Sequence, residues 1–150
     1  MDLPFRLSPY LQTNNIITFA NPSTTKIIDW DTVIFDDFES FNPKTPSRIT
    51  IPYNIDLASF SFILDSQPAP SAQNWLVLLL KNGNYLAQLL QLDVISGSAG
   101  AVFPSTAPLF SVKQSDYFEI KVIYSGTQAG ALVGGTTNYT TCFKADFFTR

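Results

Sequence analysis

The chain has 150 residues, of which 45% are hydrophobic, 14% aromatic and only 14% charged, with a formal net charge of −3. That length suits one domain able to bury about 70% of its unfolded surface, while the charge fraction falls well under the ~25% usual for soluble proteins. Its cations, among them Lys26, Lys44, Arg48 and Lys113, are scattered singly, which speaks against a nucleic-acid partner, since phosphate backbones need clustered positive charge.

The opening carries Leu3, Phe5, Leu7, Tyr10 and Leu11 around Pro4 and Pro9. The prolines disfavour both a helix and a central strand. Residues 1–15 therefore read as an extended apolar arm that binds a neighbouring chain, followed by one domain over 16–150. Short β-rich runs then predict strands at 16–19, 26–28, 32–35, 48–51, 58–64, 75–80, 85–92, 109–112, 117–124 and 142–148. Pro-, Asn- and Gly-rich breakers separate them, including Asn42-Pro43-Lys44-Thr45-Pro46 and the stretch from Gly126 to Gly135, read as an outer loop. About ten strands with no helical period predict an all-β, antiparallel jelly-roll β-sandwich.

The run from Trp75 to Leu92 reads as a long hairpin. Asn82-Gly83 supplies the positive-φ residues that a two-residue turn demands. A strand with one buried face alternates apolar and polar side chains. Trp75 through Leu80 do not alternate, and neither do Leu89 and Leu90. The hairpin is thus expected to be apolar on both faces, one covered by another copy of the chain. Trp75, Val77, Leu79, Tyr85 and Leu89 are the candidate interface residues.

Candidate chemistry is sparse. The chain has no histidine, which removes imidazole acid–base catalysis and most zinc sites. Cys142 is the lone cysteine, so no intrachain disulfide forms and a core thiol is expected. Ser111 and Lys113 would share a strand face but are a weak dyad. Asp29, Asp31, Asp36, Asp37 and Glu39 cluster within eleven positions; calcium is the sharp reading, and a solvated, partner-facing acidic edge the plain one. Sugar platforms would pair loop aromatics with polar neighbours, as at Trp30, Tyr53-Asn54 and Asn138-Tyr139. No enzyme activity, cofactor or metal is assigned. The opening segment lacks the basic and apolar regions of a signal peptide, and no run of about 18 apolar residues suits a membrane helix, so cytosolic synthesis without a membrane partner is expected.

The order of several motifs carries a resemblance. Trp30 to Asp36 leads to Phe41-Asn42-Pro43 and Arg48-Ile49-Thr50-Ile51-Pro52. Phe60-Ser61-Phe62, Leu79-Leu80-Lys81-Asn82-Gly83, Ser115-Asp116-Tyr117 and Phe143 to Phe147 then follow. This succession resembles the complement globular-head and tumour-necrosis-factor-like jelly rolls. The resemblance implies a homotrimer whose subunits pack through apolar β faces. Jelly rolls of this kind also resemble bacteriophage capsid cement (decoration) proteins and fibre tips. The expectation is therefore a virion structural protein, assembled in host cytoplasm, that stabilises the phage head through the major capsid protein or other virion proteins. The alternative is a trimeric fibre or tail tip that binds a host receptor or glycan. Removing residues 1–14 is expected to spare the trimer and abolish attachment.

Overall fold

The computed structural model describes residues 6–20, 23–69, 71–97, 100–134 and 140–149. Among these residues lie thirteen strands and no helix: β1 (Tyr10–Gln12), β2 (Ile17–Phe19), β3 (Ser23–Ile27), β4 (Thr32–Phe35), β5 (Ile49–Thr50), β6 (Leu57–Ser66), β7 (Gln73–Lys81), β8 (Asn84–Val94), β9 (Ala101–Thr106), β10 (Phe110–Ser111), β11 (Tyr117–Gly126), β12 (Gly130–Leu132) and β13 (Cys142–Phe148). They form two antiparallel sheets. Sheet A runs β2-β12-β6-β13-β1-β4, with β9 and β10 also on β6; sheet B runs β3-β11-β7-β8, with β5 on β11. The expected all-β jelly-roll sandwich is what forms.

The core follows from alternation. Phe60, Phe62 and Leu64 of β6 and Phe143 of β13 face inward from sheet A, and Trp75, Val77, Leu79, Phe118, Ile120, Val122 and Tyr124 face them from sheet B. Aromatic pairs join the layers: Phe60 stacks on Phe118 at 4.2 Å, and Phe19 meets Trp75 edge-on at 5.1 Å. Such contacts add about 0.5–1.5 kcal/mol each beyond area burial. Trp30 belongs here too, packed between Phe62 and Phe143 and 2% exposed. A tryptophan so placed offers no ring to a sugar, which corrects that reading.

The hairpin is corrected as well. Trp75, Val77 and Leu79 lie wholly inside the sandwich, with no surface for another chain. The run of leucines on the return strand has a local cause. β8 is bulged twice, so that Val77 pairs Leu90 while Leu78 pairs Gln88, and Leu79 pairs Ala87 while Leu80 pairs Tyr85. The two extra residues are Leu89 and Leu86, and both pack against the core beside Leu90 and Leu92. A bulge inserts a residue without moving the partner strand, so neighbouring leucines can serve one face. On the other face Leu76 and Leu78 are half-buried beside Ile123, Lys121, Gln88 and Gln91, so this side of β7 is itself partly apolar. Leu80 is covered at the end where Ser47 and Arg48 hold the carboxylate of Glu119.

Three strands escaped the sequence reading. β1 sits centrally in sheet A between β13 and β4, with Pro9 just before it accepting a bond from Ala145 N–H. Residues 10–12 are therefore no arm, Leu11 is fully buried, and a domain boundary at 15/16 would cut the sheet. β9 contains Pro104 and, among the described residues, pairs only along β6, the edge position a proline tolerates. β12 lies inside the glycine-rich stretch read as a loop. A Cβ at Gly130 would fall 2.7 Å from the Tyr124 ring and 3.1 Å from Trp75, so glycine there permits close packing of a strand.

Candidate assembly surface

The outward face of sheet A is set by register. One row across it reads Phe35, Tyr10, Lys144, Ser61 and Thr106; the next reads Thr32, Gln12, Cys142, Ile63 and Pro104. Phe148 beside Leu57 and Val102 beside Asp65 extend it toward either end. These residues sit on alternate positions of β6, β9 and β13, opposite the side chains that fill the core. Phe35, Phe148 and Val102 are exposed, and Ile63 and Leu57 half-buried. The charges on this face are Lys144, Asp146 and Asp65.

Its β4 side holds a hollow of about 360 Å³ lined by Leu7, Tyr10, Phe35, Lys144, Phe147 and Phe148, among others. The Tyr10 and Phe35 rings lie 6.0 Å apart, and Lys144 Nζ sits 4.3 Å above Tyr10. Tyr10 Oη accepts a hydrogen bond of 2.8 Å from Gln12 Nε2 and lies against the Cys142 thiol. Burial pushes up both the Tyr10 hydroxyl and the Cys142 thiol, so neither ionises readily at neutral pH. Burial also raises the Asp65 carboxyl.

Of the residues singled out for partner binding, Leu7 and Tyr10 line this hollow on their own domain, Leu11 is in the core, and Leu3 and Phe5 lie outside the described residues. Of the hairpin candidates, Tyr85 is 65% exposed and Leu89 is half-buried at its bulge. Phe35, Ile63, Pro104, Lys144 and Phe148 went unrecognised. The signal for Lys144 and Phe148 was the alternation along β13, but β1 and β9 had to be known as strands before the rows could be assembled.

The remaining candidates are dispersed. Ser111 closes β10, whereas Lys113 lies in the following turn with its N–H on Asp116. Asp31 accepts bonds from Asn14, Asn15 and Thr32, Asp36 from Ser40 and Phe41, and Asp37 from Leu7. Those carboxylates shape the loops at either end of β4. Among the described residues no three His, Cys, Asp or Glu side chains converge as metal ligands would. Tyr53 is exposed beside Asn54, which takes a positive φ of 65°; Asn138 and Tyr139 lie outside the described residues.

No family model and no curated protein matches the sequence. Solved structures match the fold. Murine APRIL at pH 8.0 superposes with a TM-score of 0.61 at 12% identity, covering 93% of this chain and 97% of its own. The Eiger TNF of S. frugiperda gives 0.54 at 11%, covering 95% and 92%. The globular domain of the zebrafish complement 1qA protein gives 0.51 at 12%, covering 96% and 100%. At such identities the likeness is one of architecture: the chain has the jelly-roll fold of tumour-necrosis-factor-like and complement globular-head domains.

Proposed function

We propose that this protein is a structural, self-assembling module rather than a catalyst. It forms a homotrimer through the outward face of sheet A and serves as a capsid cement (decoration) protein of a phage head, seated on the major capsid protein or another virion protein. The observation that carries the reading is that face. It joins Phe35, Tyr10, Ile63, Pro104, Val102 and Phe148 on a chain with few charges. Exposed apolar side chains gathered on one sheet face mark interaction sites, here interspersed with Lys144, Ser61 and Asp146, and burying each large side chain contributes about 1.5–3 kcal/mol. A three-fold contact is heterologous, one patch of a subunit meeting a different patch of the next. Tyr85 on β8, with the part of Leu89 that the core leaves uncovered, belongs to the complementary patch in this reading. The shared architecture with tumour-necrosis-factor and complement domains supports three as the number.

Native mass spectrometry tests the assembly. The expected species is three times the 16.6 kDa chain, and Ile63→Lys should release single chains that remain folded. A wild-type monomer at micromolar concentration would remove the premise. For the particle role, tens to hundreds of copies per virion are expected, against a handful for a tip. Attachment is tested by removing residues 1–5, which spares β1; removing 1–14 would delete a central strand and unfold the domain.

A second reading, a fibre or tail tip binding a receptor or glycan, draws on the exposed Tyr53 beside Asn54. It requires a glycan-array signal that disappears in Tyr53→Ala.

A further inference from the structure

Sheet edges expose unpaired backbone N–H and C=O groups, and proteins usually blunt them. Most edges here are blunted. β8 carries two bulges and turns Gln88 and Gln91 outward. β9 carries Pro104, which has no N–H to offer. β3 reads Ser-Thr-Thr-Lys-Ile, polar over most of its length. β2, β5 and β10 are only two or three residues long.

β4 shares the shortness and the bulge, at four residues with one irregularity, but departs from this pattern in its side chains. Among the described residues it pairs with β1 alone. Its Val33, Ile34 and Phe35, three in succession, are 44%, 39% and 44% exposed. The single irregularity in its pairing falls at Ile34, between the Tyr10–Phe35 and Leu11–Val33 pairs, so it adds an apolar residue to the edge. No lysine, proline or inward charge interrupts the strand.

Both ends of this edge are acidic. Asp29 and Asp31 precede it, and Asp36, Asp37 and Glu39 follow. The hydrogen bonds that Asp31, Asp36 and Asp37 accept come from amides and hydroxyls, which leave their charge in place. Arg6, bonded to the Asp37 carbonyl oxygen, Lys144 in the hollow that Phe35 lines, and Lys26 in the hollow shared with Asp29 and Asp31 oppose it with three positive charges against five negative. The ion pairs Arg48–Glu119 and Lys81–Asp116 involve none of these five acids.

We propose that the free edge of β4 docks an extended segment of another protein, apolar at its centre and flanked by lysine or arginine, which adds to sheet A as a further strand. Backbone bonds along the edge supply affinity, as in other cases of strand addition. Val33, Ile34 and Phe35 supply apolar contact, and the acids at either end select the basic flanks. The site needs the flank of the sheet and the trimer its outward face; Phe35 lies where the two adjoin, whereas Val33 and Ile34 belong to the flank alone.

Fluorescence anisotropy with the full chain tests this. The probe is a labelled peptide, Lys-Arg-Val-Thr-Ile-Thr-Val-Arg-Lys, compared with the same centre flanked by glutamates. Saturable binding of the basic peptide is expected, weakened about tenfold or more by Ile34→Lys, by glutamate flanks and by high salt. Circular dichroism and native mass should stay as in the wild type. Should Ile34→Lys misfold, the exposed pair Asp29→Asn and Glu39→Gln serves instead and should flatten the salt dependence. Absence of binding, equal binding of both peptides, or binding indifferent to these substitutions would overturn the proposal. So would a mass above the trimer that Ile34→Lys abolishes, because the edge would then be occupied by another copy of this chain. Loss of the trimer in Ile63→Lys with peptide binding retained would separate the two proposals.

Discussion

The β7–β8 hairpin and the β1–β4 flank invert what their compositions suggest. The hairpin, with eight leucines between Trp75 and Leu92, is the greasiest stretch of the chain, yet Trp75, Val77 and Leu79 are sealed in the core and two bulges fold the surplus leucines inward. The flank, a proline-bracketed start and four ordinary residues at 32–35, is where Val33, Ile34 and Phe35 meet solvent. Exposure here is decided by position in the sheet. β7 has a strand on each side and a second sheet beneath it, whereas β4 has one neighbour among the described residues.

Substitutions can break or sharpen this contrast. The largest effect is expected at the hairpin's buried side: Trp75→Ala should destabilise folding by about 3–5 kcal/mol, whereas Tyr85→Ala, on the same hairpin, should leave monomer stability within about 0.5 kcal/mol and weaken the trimer. Urea denaturation with native mass spectrometry reads both. A finer contrast lies within one register pair of the flank. Leu11 is fully buried and its partner Val33 is 44% exposed. Leu11→Ala should cost about 2–5 kcal/mol and Val33→Ala well under ~1 kcal/mol, and similar costs would mean that β4 is covered after all.

The smallest expected effect is electrostatic and belongs to the hairpin's turn. Asp116 pairs with Lys81 at 2.9 Å and accepts bonds from Asn82 Nδ2 and Lys113 N–H. Burial raises its carboxyl, but the bonds from Asn82, Lys81 and Lys113 outweigh that and hold it below the ordinary value. A carboxyl depressed in the fold stabilises above its unfolded pKa and loses that contribution as pH falls through the folded one. Thermal stability should therefore decline below about pH 4, with a shallower decline in Asp116→Asn. An identical acid limb in that variant would show the cluster to be inert.

Much of the architecture was legible because strand signals are local. 32–35 and 142–148 were placed to the residue, and the Asn82-Gly83 turn declared itself through its positive-φ requirement. What stayed hidden depended on partners remote in sequence. β1 is three residues made a strand by β13 and β4, β12 is a strand because glycine lets it lie on Tyr124, and β9 is one despite Pro104. The candidate surface inherits the same difficulty, since its rows draw on five strands, two of them unreadable beforehand. The bulges of β8 misled in the opposite sense, because an inserted residue resembles a second buried face, whereas on β7 Leu76 and Leu78 do form a half-buried outer face beside Ile123.

The turn at Asn82 carries one more consequence. Asparagine followed by glycine is the dipeptide most prone to shed ammonia, through attack of the glycine nitrogen on the side-chain amide. Here that amide is held at both ends, Nδ2 by Asp116 at 2.8 Å and Oδ1 by the Tyr117 N–H at 2.9 Å. So tethered, it has little freedom to swing onto Gly83. The native fold thus slows its own chemical ageing, and each excursion to the unfolded chain lets that clock run.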